Sequence, residues 1–210
     1  YSKVNKIMQS TLKNSKNIIS KILSNGGIAI LPTDTIYSLS CITSNTNSLK
    51  QILKIKGRDA AQGIPVLVPS IDYFNVYAQN INNNIEKIIK TFMPGPLTLI
   101  LNKKPGVSDL ISGPSNTIAL RIPDNSDLIN IMNKIKSGIT GTSANLSGKI
   151  HSLDNYKIIK DLGTKVDIFV FGNYKVKNKK PSTILDVTSD KMKIIREGAI
   201  KKADIDNINF

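Results

Sequence analysis

Apolar residues recur at Leu12, Ile18, Ile19, Ile22 and Leu23 with the spacing of one helical face, and Gly26-Gly27 follow where such a helix would stop. The next run, GIAILP, reads as a buried strand, with Thr33 to Tyr37 just past its end. NTNSLKQILKIKG has asparagine and serine N-cap candidates, an apolar stripe at Leu49, Ile52 and Leu53, and Gly57 as a stop, so Lys56 and Arg58 fall at a helix exit. IPVLV is a further strand. Helical patterns around Ile71–Ala78 and Asn84–Phe92 lead into MPGPLTLIL, a turn feeding a strand. NTIALRIP reads as a strand, SDLINIMNKIK as an amphipathic helix and GITGT as a strand again. The last third offers strands at VDIFVF, STILDV and MKIIRE, then a short polar helix. Strands alternating with helices predict an α/β architecture with a mixed sheet.

With 210 residues, 40% of them hydrophobic and 21% charged, the chain is expected to be one globular domain over 1–210. No internal repeat or low-complexity linker divides it. No apolar run approaches the roughly 18–20 residues of a membrane span, and the one cysteine, Cys41, excludes an internal disulfide. A cytoplasmic setting is the expectation. The chain opens on Tyr1 rather than Met, so an organellar protein with a trimmed transit segment is also compatible.

The formal net charge of +14 attracts polyanions. Abundant Lys, Asn and Ile is also what a low-GC genome writes, so charge alone does not establish nucleic-acid contact. Aromatic residues, at 5%, do not interleave with the lysine-rich runs, which disfavours a stacking platform for single strands. The most basic stretch, NYKVKNKKPS, reads as a mobile loop.

Arginine is rare: Arg58, Arg121 and Arg196 are the whole set. Its planar fork binds carboxylate or phosphate with two parallel hydrogen bonds, which lysine cannot do. Arg58 falls in a loop, and Arg121 and Arg196 fall in or at the end of strands, where open α/β sheets collect ligands. Convergence there would make an anion site; a structural salt bridge at each is the competing reading. His151 is the one histidine, and neither a GxxxxGK[ST] loop nor a GxGxxG turn is present, which argues against acid–base hydrolysis and P-loop chemistry. Asp34 in PTDT and Asp186 in STILDV are expected to anchor backbone amides in turns rather than hold a metal. GITGTSANLSG packs hydroxyl, amide and glycine residues together, as a polar loop or a ligand-binding strand end would.

In order, LPTDTIYSLSC, KGR with QGIPVLV, PGPLTLIL, TIALRIP, TSANLSG, PSTILDV and IIREGAI resemble the YrdC-like threonylcarbamoyl-AMP synthase family, from about Gly27 to Ile200. Its paired signature, KxR and SxN, stands here as Lys56–Arg58 and Ser143–Asn145. The resemblance implies a twisted, open mixed sheet with flanking helices and a basic concave site. It implies formation of threonylcarbamoyl-AMP and pyrophosphate from L-threonine, bicarbonate and ATP, with Mg2+ accompanying the nucleotide. Downstream threonylcarbamoyl-transfer proteins would then modify tRNA, and direct contact with tRNA or double-stranded RNA is left open. Residue by residue, it implies catalytic Lys56, Arg58, Ser143 and Asn145. Threonine contacts would come from Thr33, Arg121, Gly141 and Ser182, and ATP contacts from Lys56, Arg58, Thr117, Ser143, Asn145 and Arg196. Ser38 and Ser40 replace glycines of the family, predicting a slightly different loop path, and Gln62 removes a cation. A double-stranded RNA-binding module without catalysis and a carbamoyl-adenylate-forming carbamoyltransferase are the alternatives.

Overall fold

The computed structural model describes residues 6–57, 63–146, 148, 152–172, 177 and 180–208. The first helical stripe becomes a helix over Leu12–Ser24, opened by Thr11, whose side chain accepts from the Asn14 amide. The second helix, Thr46–Lys56, is capped by Asn45 and closed by Gly57 at φ 62°, a left-handed position that glycine occupies without strain. This exit fixes the direction in which Lys56 leaves the helix. A third amphipathic pattern becomes the helix Ser126–Ile135, which packs against Leu12–Ser24.

The described strands are β1 Lys6–Gln9, β2 Ala29–Leu31, β3 Ser38–Ser40, β4 Val66–Leu67, β5 Ala78–Gln79, β6 Leu97–Lys103, β7 Thr117–Arg121, β8 Ile139–Thr140, β9 Thr142–Ser143, β10 Ile168–Phe171, β11 Thr183–Asp186 and β12 Lys193–Arg196. They form two open sheets with mixed parallel and antiparallel pairing. The smaller runs β1-β10-β2-β3-β9, and the larger runs β12-β11-β6-β7-β4-β8 with β5 paired to β6. Buried aliphatic residues such as Leu39, Leu99 and Leu120 form the main core, and a second cluster joins Ile19 and Leu23 to Leu128 and Ile131.

GITGT, expected as one strand, is divided: β8 belongs to the larger sheet and β9 to the smaller, with Gly141 between them. The Gly141 amide donates to Pro65 O at 2.7 Å, and a Cβ on this residue would meet Leu67 Cγ at 2.7 Å. Only glycine lets the chain change sheets so close to β4. YSLS also departs from expectation. Its two serines lie in an extended strand, with Leu31 opposite Ser38 and Ala29 opposite Ser40, rather than in a glycine-type loop. A helix over Asn155–Leu162, opened by Asp154, was not anticipated because its apolar stripe is short.

Candidate active site

A cleft of about 270 Å³ opens where the two sheets meet. The smaller sheet contributes Ser38, Thr142 and Ser143, and the larger contributes Leu67, Thr98, Arg121, Ile184 and Arg196. The turn after β2 supplies Thr33, Thr35, Ile36 and Tyr37, while Gly63, Pro65, Gly141, Pro181 and Ser182 complete the wall. Six of the anticipated residues, Thr33, Arg121, Gly141, Ser143, Ser182 and Arg196, therefore meet in one place.

Arg121 ends β7 with its side chain almost wholly buried. Nε donates to Gly95 O at 2.9 Å, Nη1 to Thr35 Oγ1 at 3.1 Å and Nη2 to Asp34 Oδ1 at 2.5 Å. Asp34, expected to hold backbone amides, is instead the carboxylate partner of this arginine. Thr33 takes the turn-anchoring role: its Oγ1 accepts from the amides of Thr35 and Ile36 at 3.1 and 3.2 Å and donates to Ile36 O at 2.6 Å. Thr33 thus reaches the cleft wall with its hydroxyl already engaged in shaping the turn. Asp186 does serve its own turn, its Oδ1 accepting from the Thr188 amide at 2.9 Å.

Arg196 ends β12 and faces the same cleft. Nε and Nη2 donate to Ser182 O at 3.2 and 2.7 Å, which fixes the guanidinium to another residue of the cleft wall. Among the described residues Arg196 has no carboxylate partner. Burial, and then the positive charge of Arg121, lower its pKa from the ordinary arginine value. Two guanidinium groups thus border one cleft, that of Arg121 paired with Asp34 and that of Arg196 held by Ser182 O. Ser182 Oγ lies 2.9 Å from Thr98 Oγ1, so a buried hydroxyl pair backs this side of the wall.

Lys56 lies outside the cleft wall and is buried, with 2% of its surface exposed. Its ammonium donates to Ser143 O at 2.8 Å, Asn145 O at 2.6 Å and Asn145 Oδ1 at 2.8 Å. Ser143 Oγ in turn donates to Asn145 Oδ1. The KxR lysine therefore ties down the SxN segment, and the Ala144 amide donating to Tyr37 O at 2.9 Å fixes it from the other side. Ser38 stands opposite Ser143 in the β3–β9 register, with its Oγ 2.9 Å from Ser40 Oγ.

Thr117 does not line this cleft. It starts β7, four residues before Arg121 and so roughly 13 Å away along an extended strand, with its Oγ1 3.0 Å from Ser115 Oγ. Arg58, Gln62, His151 and most of NYKVKNKKPS lie outside the described residues. Cleft residues not named in the sequence analysis include Thr35, which sits between the named Asp34 and Tyr37, and Thr98, which lies in the quoted PGPLTLIL with no named residue beside it.

The family model Sua5_yciO_yrdC, described as "Telomere recombination", matches residues 21–198. A Methanocaldococcus jannaschii protein provisionally named threonylcarbamoyl-AMP synthase is 35% identical over 94% of this chain and 92% of its own length. Among solved structures, Pyrococcus abyssi Sua5 complexed with L-threonine superposes with a TM-score of 0.88 at 27% identity, covering 97% of this chain and 59% of that one. E. coli YciO superposes with a TM-score of 0.80 at 25% identity, covering 92% and 93%.

Proposed function

Since the chain belongs to the Sua5/YciO/YrdC family, we propose that it is an L-threonylcarbamoyladenylate synthase, a nucleotidyltransferase that forms threonylcarbamoyl-AMP and pyrophosphate from L-threonine, bicarbonate and ATP. The observation that carries the reading is the meeting of Arg121 and Arg196 in one cleft, the second without a carboxylate partner among the described residues. The names of the relatives at high coverage support the substrate assignment, as does the threonine-bound Pyrococcus abyssi structure. Neither alternative, RNA-binding module or carbamoyltransferase, is favoured.

The chemistry explains the residue types. The amine of threonine attacks the carbon of bicarbonate, and loss of water leaves an N-carboxylate. One carboxylate oxygen then attacks the α-phosphorus of ATP, and the bond to the pyrophosphate oxygen breaks. Every reacting partner is an anion, so the site must neutralise charge and hold an in-line approach. Arg121, at the end of β7, is proposed to bind the α-carboxylate of threonine, and Arg196 to face the phosphates. Ser182, braced by Thr98, contacts threonine, and the Ser143–Asn145 segment, held in place by Lys56, faces the nucleotide. Magnesium is proposed to arrive with ATP, coordinated mostly by phosphate oxygens and water; among the described residues no group of three or more His, Cys, Asp or Glu side chains could hold a metal ion by itself. The product is a mixed anhydride, which suits it to acyl transfer by downstream proteins.

The test is pyrophosphate release by the purified protein with Mg–ATP and bicarbonate, with and without L-threonine. Release that requires threonine supports the reading; release indifferent to threonine in a folded protein overturns it.

A further inference from the structure

Asp34 takes no part in the cleft wall and is wholly buried behind it, yet it bonds the guanidinium that does line the wall. We propose that Asp34 is a positioning residue for the reaction, holding Arg121 at the angle from which its guanidinium meets the carboxylate of the amino-acid substrate. The proposal rests on the synthase reading for its substrate.

Three fixed groups hold Arg121 from different sides: Gly95 O on Nε, Thr35 Oγ1 on Nη1 and Asp34 Oδ1 on Nη2. An arginine gripped at all three nitrogens cannot swing its plane, and a planar fork recognises a carboxylate only when its plane is set. Asp34 supplies the charged member of that grip, and its position next to Thr33 and Thr35 ties the angle of Arg121 to the turn that forms the neighbouring wall.

The second observation is that Asp34 Oδ2 is buried with no hydrogen-bond partner among the described residues. A buried carboxylate oxygen without a partner is unfavourable. Asp34 keeps one oxygen on Arg121, and a buried pair of this kind is weak support for stability, so the grip on the guanidinium is the role the geometry favours. Its charge has a second effect. Arg196 lines the same cleft, and Asp34 offsets the charge of Arg121 beside it.

The experiment compares wild type, Asp34→Asn, Thr35→Ala, Arg121→Lys and the double variant Asp34→Asn/Arg121→Lys in steady-state pyrophosphate release. Arginine Nε–H signals are followed by nitrogen-edited NMR, with the Arg121 signal assigned by its loss in Arg121→Lys. Asp34→Asn is expected to raise the KM for L-threonine at least tenfold while moving the KM for ATP less than threefold, and to speed solvent exchange of the Arg121 Nε–H. Thr35→Ala, which retains the charge pair, should raise the threonine KM severalfold. In the Arg121→Lys background Asp34→Asn should add less than a twofold change, because the residue it positions is gone. An unchanged threonine KM and Nε–H exchange in a folded Asp34→Asn protein would overturn the proposal, as would an effect of equal size in both backgrounds. If wild type shows no threonine-dependent release, the substrate reading fails, and the Arg121 exchange rates alone decide whether Asp34 positions the guanidinium.

Discussion

Replacing Lys56 by methionine tests whether this lysine holds the SxN segment together. Its ammonium has three N–H donors, and they meet Ser143 O, Asn145 O and Asn145 Oδ1 at 2.8, 2.6 and 2.8 Å. Hydrogen bonds from a charged donor contribute about 1.5–3 kcal/mol each, so the gross contribution is on the order of 4–9 kcal/mol. Methionine removes that, but it also removes the desolvation penalty of a buried cation, itself several kcal/mol. Water that reaches the freed oxygens offsets more of the loss. A net destabilisation of about 2–4 kcal/mol follows, which for a chain of this length is a fall in Tm of roughly 5–15 °C. The assay is urea unfolding followed by circular dichroism, with Lys54→Met as the control. Lys54 lies two residues earlier on the same helix and is exposed, so its variant should stay within about 0.5 kcal/mol of wild type. Hydrogen exchange adds a local readout: the Ala144 amide, bonded to Tyr37 O, should lose protection in Lys56→Met only. Equal stability of the two variants, with Ala144 still protected, would refute the reasoning and return Lys56 to a purely substrate-facing role.

Arg196→Lys keeps the charge but cannot make the paired contact with Ser182 O; kcat/KM for pyrophosphate release should fall at least tenfold. Gly141→Ala places a Cβ 2.7 Å from Leu67 Cγ, so equilibrium unfolding should show a loss of about 1–3 kcal/mol, and adding Leu67→Ala should cost less than the sum of the two single changes. Burial pushes the Cys41 thiol up to about 12 from an ordinary 9.0. The folded protein therefore keeps a proton that the unfolded chain releases, and stability should decline as pH rises from about 9 towards 12. In alkaline unfolding series, Cys41→Ala should flatten that decline, and native Cys41 should resist thiol reagents until the protein unfolds.

The helices Leu12–Ser24 and Thr46–Lys56 were legible because their signals are local. Thr11, Asn45 and Gly57 sit at the ends of apolar stripes, and caps act within one turn. Strand identity was legible too, since runs such as GIAILP and STILDV have no helical period. Sheet membership was not. GITGT reads as one strand, and its division at Gly141 depends on Leu67 and Pro65, which lie more than 70 residues away. The arginines were found by scarcity, which pointed to Arg121 and Arg196 before any geometry. Their partners were hidden, because nothing local distinguishes an aspartate that caps a turn from one that pairs across 87 residues with Arg121. The turn-anchoring role expected of Asp34 accordingly falls to Thr33. The same limit applies to Lys56: motif spacing ties it to Ser143 and Asn145 by resemblance, but only the fold shows its ammonium bonded to both.

The central claim is that one cleft joins an amino-acid carboxylate, a one-carbon unit and a nucleotide. The most direct measurement is the mass of the nucleotide product formed from ATP, L-threonine and carbon-13 bicarbonate. The account predicts threonylcarbamoyl-AMP that carries one heavy carbon and is absent when threonine is omitted. A nucleotide product without the heavy carbon, or AMP alone from a folded and threonine-saturated protein, would contradict it.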